Sequence, residues 1–245
     1  MKPKNRRRYP QGGVCPGSRH KETSRSTTLL NYRGARFYRG IVELQRCPIL
    51  SWHPADSSGD LAHCHPLVPD PLAAVEQLPI DREQARQIRS FLSDMIESVP
   101  HLYAQLPQQL LHRDYDPGNI LMDHHHVTAV LDFEFAGQDL RVLDLCVALS
   151  WWPVQLLGTG QEWALMDAFG VAYTHQFPLS AEELLAIPAV FRLRDATSFV
   201  HRLGRYLAGL ETEARIQDRV QHSLWLEAWL SAHQKTLLQH TLAWS

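Results

Sequence analysis

The chain has 245 residues, 44% of them hydrophobic and 20% charged, enough to bury one large core or two small ones. It contains no run of 18 apolar residues, so a membrane-spanning helix is not expected, and the basic start Met1–Arg8 lacks the apolar stretch of a secretory leader. The net charge of −2 hides an asymmetry: residues 1–40 hold eleven Lys or Arg against Glu22, a net of +10, which leaves −12 on the remainder.

That basic arm is read as a poorly ordered tail rather than a nucleic-acid site, because aromatic residues are sparse in it and no nucleic-acid motif is present. Residues 1–75 as a whole are rich in Pro, Gly, Ser and Arg. Short apolar stretches at 35–44 and 49–52 have strand character. Cys47, His53, His63, Cys64 and His65 lack the paired spacing of a zinc site and are read as loop residues. With Cys15 and Cys146 they leave four irregularly spaced cysteines, which fits free thiols in a reducing cytoplasm.

From Pro79 the pattern changes. Ile88, Phe91, Leu92, Met95, Ile96 and Val99 recur at helical spacing, which predicts an amphipathic helix over 81–99 that stops at Pro100. A short strand at 110–111 follows, then the polar stretch 112–118. Residues 119–122 and 127–133 read as two strands joined by a turn at 123–126, with His124, His125 and His126 as solvated turn residues. The rest is helical: an apolar helix at 142–152, another at 161–175, and one opened by the capping-box pair Ser180 and Glu183 and interrupted near Pro188. The pattern then runs from 192 to 210 and closes at 214–239.

The chemistry sits in Leu111-His112-Arg113-Asp114-Tyr115-Asp116-Pro117-Gly118-Asn119-Ile120-Leu121, followed by Val130-Leu131-Asp132-Phe133-Glu134. Phosphoryl transfer from ATP needs a carboxylate to orient and deprotonate the attacking hydroxyl, and hard oxygen ligands for magnesium. Asp114 precedes the amide Asn119 by five residues, in a loop that enters a strand. Asp132 ends the returning strand. A hairpin would bring Asn119 and Asp132 together beside Asp114. Taken singly, each of these residues also fits a surface loop or a turn, and Asp132 fits a cap for the next segment.

His112-Arg113-Asp114 with Asn119, and then Asp132-Phe133-Glu134, resembles the aminoglycoside phosphotransferase, choline kinase and homoserine kinase superfamily. The continuation 135–140 and Asp144-Leu145 is most similar to the homoserine-kinase-like branch. The resemblance spans about residues 76–245. It implies an α+β, protein-kinase-like fold whose mainly helical C-terminal lobe carries a catalytic β-hairpin. It also implies an ATP-dependent phosphotransferase acting on a hydroxyl of a small molecule such as homoserine, an amino sugar, an aminoglycoside or a choline-like alcohol. Asp114 is then the catalytic base, and Asn119 and Asp132 are the Mg²⁺ ligands. His112, Arg113 and Asp144 support the loop. Glu134, next to Asp132, reads equally as an aid to metal or substrate and as a simply exposed residue. A protein kinase is disfavoured, because Phe-Glu follows Asp132, the apolar helix begins soon afterwards, and no Ala-Pro-Glu follows.

The expected N-terminal lobe, with its glycine-bearing phosphate loop and nucleotide lysine, has no counterpart in the pattern. Lysine occurs only at 2, 4, 21 and 235, and no strands flank Gly12, Gly13 and Gly17. The N-terminal lobe is therefore read as absent or degraded, which impairs positioning of the triphosphate. The organisation expected is a basic region at 1–75 and a kinase-like lobe at 76–245, in the cytoplasm, with a small-molecule substrate and neither membrane nor nucleic acid as partner. The competing function is a non-catalytic pseudokinase or truncated fragment serving as a binding module. Trp151, Trp152 and Trp163 are read as packing residues rather than a cation site. Glu162, Asp167, Glu182 and Glu183 are read as either a solvated helix face or a lure for amines.

Overall fold

The computed structural model describes residues 59–115, 117–123, 126–151 and 156–245. The stretches 35–44 and 49–52, which have some strand character without a convincing pattern, and the reading of the N-terminal lobe fall outside these residues. So do Trp152 and two of the three turn histidines, His124 and His125.

Among the described residues, 59–75 pack against the helical body. Leu61 and Val68 enter the core, and Asp70 caps a short helix, α1 (Pro71–Ala74), by accepting from Leu72 N and Ala73 N. Behind this segment the His65 ring lies against Gly204. A Cβ there would come within 2.0 Å of the ring.

Helix α2 (Arg82–Gln105) starts where the sequence indicates. Asp81 accepts from Gln84 N while the Gln84 side chain accepts from Asp81 N. Ile88, Leu92, Met95 and Val99 form its buried stripe. The helix does not stop at Pro100, which sits on the exposed face. Continuing through it brings Leu102, Tyr103 and Leu106 onto the core, and that burial outweighs one lost backbone bond.

Two small antiparallel pairs follow. Strand β1 (Gln108–Leu111) pairs with β4 (Gly137–Leu140), and β2 (Ile120–Asp123) pairs with β3 (His126–Val130). The hairpin β2–β3 matches expectation, but β3 ends at Val130, and Phe133 lies in a 3-10 turn (Phe133–Phe135). Strand β4 is absent from the sequence reading. Four residues, Gly-Gln-Asp-Leu, show no alternation that would mark a strand.

The remaining helices are α3 (Leu143–Trp151), α4 (Glu162–Gln176), α5 (Ala181–Leu207) and α6 (Glu213–Leu242). Helix α3 is buried on all sides from Leu145 to Leu149, as an all-apolar helix must be. Burial alone pushes the Cys146 thiol far up. Helix α5 runs unbroken through the buried Pro188, another departure from expectation, and packs along α6. The described residues thus form a mainly helical body with two small antiparallel β-pairs. Among the described residues no helix is long and apolar enough to cross a membrane.

Candidate active site

The loop between β1 and β2 is held from below by Asp144. This carboxylate lies in the first turn of α3, fully buried, and accepts from Arg113 N at 2.8 Å and His112 N at 3.2 Å. Burial raises its pKa to about 6, against the pull of those two backbone donors. The buried His112 ring accepts from Asp114 N at its Nδ1 (3.3 Å), so its Nε2 donates to Leu131 O at 2.9 Å. One imidazole therefore ties the loop to the strand end that leads into Asp132.

Arg113 takes a left-handed backbone, φ 62°, unusual for a side chain with a Cβ. The kink turns its guanidinium back under the loop, where Nε donates to Phe135 O and Nη1 reaches Asp139 Oδ2 at 3.2 Å. Asp139 is fully buried on β4 and also accepts from the Tyr103 hydroxyl. Gly137 is needed beside this arrangement, since a Cβ there would approach Arg113 Nη2 to 3.0 Å. Strand β4 thus positions the arginine as well as pairing with β1.

Asp114 emerges from this brace partly exposed. Asn119 Nδ2 donates to both its carbonyl oxygen and its Oδ2, each at 3.0 Å. That use of the amide nitrogen leaves Asn119 Oδ1 as an oxygen donor with no hydrogen bond among the described residues. Leu131 N donates to Asn119 O at 2.8 Å, and Ile120 pairs with Val130. The hairpin therefore brings Asn119 and Asp132 to one end. Asp132 is exposed, with φ 62° and ψ 67°, and its side chain does not cap the turn that follows. Glu134 lies exposed within that turn. An amide oxygen and a carboxylate, both free of protein hydrogen bonds among the described residues, are the hard donors magnesium takes, so the donor set fits the ion.

Two contributors escape the sequence reading. Asp139 stands in the quoted run 135–140, yet nothing in its spacing marks it as the anchor of Arg113. Arg194 lies 80 positions beyond Asp114 in the middle of α5, and its Nη2 is 3.9 Å from Asp114 Oδ1. Only the fold brings the two together. Other residues take structural places. Trp163 stacks against His240 and Trp229, with ring centroids 4.8 and 5.6 Å apart. Glu162 accepts from Gly158 N at 2.9 Å, and Glu183 is buried against Arg141, so neither lies on a solvated face. Asp167 receives Trp244 Nε1 and contacts His240.

Residues 33–176 match the family model described as the phosphotransferase enzyme family. The chain belongs to that family. The match begins well ahead of residue 76, where the sequence resemblance was taken to start. Similar curated proteins are homoserine kinases. That of Polaromonas naphthalenivorans is 32% identical over 90 residues, which is 37% of this chain and 28% of the relative. That of Methylobacillus flagellatus is 30% identical over 141 residues, covering 53% and 44%. That of Phenylobacterium zucineum is 32% identical over 133 residues, covering 52% and 40%. The family member described here therefore aligns with less than half the length of each of these relatives.

Proposed function

We propose that this phosphotransferase-family chain moves the γ-phosphoryl group of ATP to a hydroxyl of a small metabolite in the cytoplasm. Of homoserine, amino sugars, aminoglycosides and choline-like alcohols, homoserine is the acceptor suggested by the names of its relatives. The observation that carries the reading is the joint fixing of Asp114 and Asn119 at the hairpin end that also bears Asp132. Asp114 accepts the proton of the acceptor hydroxyl as its oxygen bonds to phosphorus and the bond to the ADP oxygen breaks. Asn119 holds Asp114 in place through its amide nitrogen. Asn119 Oδ1 and Asp132 would hold Mg²⁺, with Glu134 beside them. The ion, when bound, supplies neutralisation of the triphosphate charge.

A specific observation favours a second reading. The family-matched stretch 33–176 contains no lysine at all, so the usual point charge for the ATP phosphates is missing from it. A non-catalytic binding module is the consequence if no other group replaces it.

Calorimetric titration of Mg·ATP into the purified chain and into Asp132→Ala decides between the two. The enzyme reading expects binding that requires magnesium and weakens by about tenfold or more in the variant. No binding to either protein would leave the module reading.

A further inference from the structure

Arg194, in the middle of α5, makes no hydrogen bond among the described residues. Its ionic approach there is from Nη2 to Asp114 Oδ1 at 3.9 Å, beyond hydrogen-bond reach. Nearby acids are already engaged. Asp195 accepts from Arg219 through Oδ1 and its backbone carbonyl, and Glu211 receives Arg202, Arg205 and Arg215. Burial, followed by the like charge of Arg219, pulls the Arg194 pKa down against the smaller effects of Asp114 and Asp195. A guanidinium stays charged at neutral pH all the same, so the fold keeps here a cation that is short of an anion.

The reachable part of Arg194 is its tip. The side chain is 18% exposed; Nε is sealed from solvent, but Nη1 and Nη2 are not. That tip is the end beside Asp114, whose own side chain is 25% exposed. The two oxygens of Asp114 differ. Asn119 Nδ2 holds Oδ2 at 3.0 Å, so Oδ1 is the oxygen left to take a proton, and Oδ1 is the one Arg194 faces. A hydroxyl bonded to Oδ1, and the phosphorus that it attacks, lie beside the guanidinium tip. Residues 33–176 contain no lysine, and Arg194 places a positive charge at the reacting atoms from outside that stretch.

We propose that Arg194 is a catalytic residue whose Nη1 and Nη2 bind non-bridging oxygens of the γ-phosphoryl group as it passes from ATP to the acceptor hydroxyl. In this transfer negative charge is spread over the three equatorial oxygens of the phosphoryl group, and catalysis is mainly positioning and charge stabilisation. A planar guanidinium donates to two such oxygens at once. Because Arg194 is held among packed helices, it is in place before the reaction begins and need not reorganise. The inference rests on the phosphotransferase reading and adds to it a residue of α5.

ADP lacks the γ-phosphoryl group and serves as the control. Mg·ATP and Mg·ADP are titrated separately by calorimetry into wild type, Arg194→Gln and Arg194→Lys, with circular dichroism melts to verify folding. Arg194→Gln should bind ATP about tenfold or more weakly than wild type and ADP as well as wild type, since only the γ-phosphoryl contact is lost. Arg194→Lys should fall between the two for ATP, because it keeps the charge without the planar fork. If Arg194→Gln does not fold, Arg194→Lys carries the test, and an ATP affinity equal to that of wild type overturns the proposal. Unchanged ATP affinity in folded Arg194→Gln overturns it as well, and so does an equal loss of ATP and ADP, which marks a structural role. In these cases Mg·ATP still binds wild type and the phosphotransferase reading stands. Binding of neither nucleotide to wild type removes that reading and this one together.

Discussion

Asp144 makes two demands on one buried carboxylate. It accepts from the backbone N–H groups of His112 and Arg113, which favours the anion, while its burial and the neighbouring Asp139 favour the neutral acid. Burial is the larger effect, and the group titrates at about 6 in the fold against about 4 in an unfolded chain. The folded protein therefore holds this proton more tightly. Stability contributed by the proton is complete below pH 4 and disappears as the pH rises to 6, on the order of 3 kcal/mol for this group. Asp144→Asn cannot titrate. Denaturation in urea should show wild type losing stability relative to Asp144→Asn between pH 4 and 6, with a constant difference above. A difference that is flat from pH 4 to 8 would show that the carboxylate is not perturbed. That Asn119 lies against Asp114 and that a hairpin leads from Asn119 to Asp132 was legible, because their separations along the chain suit one loop and one hairpin. Arg194 was not, since a residue in mid-helix acquires meaning only from what packs beside it.

At the scale of elements, local chemistry and tertiary packing divide the work unevenly. The starts of α2 and α5 were readable because capping boxes are local: Asp81 with Gln84, and Ser180 with Glu183. Their continuation through Pro100 and Pro188 was not, because the burial that overrides each proline is supplied by other parts of the chain. Strand β4 was illegible for a similar reason, being defined by pairing with β1 and by Arg113 rather than by its own composition. Glu183 links the two regimes. It accepts from Ser180 N at 2.8 Å as part of the cap, and it also pairs with Arg141 just after β4 while fully buried. Removing the cap hydroxyl in Ser180→Ala should cost about 1 kcal/mol. Glu183→Ala should cost about 3–5 kcal/mol, because it strands a half-buried arginine as well. Equal urea midpoints for the two variants would mean that the Arg141 pair contributes nothing.

Across the whole molecule, the end of the chain is part of the core. Trp244 is buried over Gly170 of α4, where a Cβ would come within 2.2 Å of its ring. Its Nε1 donates to Asp167 at 2.8 Å, and its carbonyl accepts from Thr174. Trp244→Ala should lower stability by about 3–5 kcal/mol as a core truncation, readable by thermal melting. A shift of the melting point within error would place that indole outside the cooperative unit. Nothing in Thr-Leu-Ala-Trp-Ser distinguishes such a tryptophan from one at a frayed terminus, so only the fold reveals it.

The tie between β1 and β4 has a further implication for control. Between Asp132 and Asp144 the chain passes through one 3-10 turn and directly into β4, and this stretch, Phe133–Leu143, contains no Ser, Thr or Tyr. A covalent phosphate switch therefore has no hydroxyl to modify here and no slack to rearrange. The loop around Asp114 is instead held by hydrogen bonds to Asp144, His112 and Asn119.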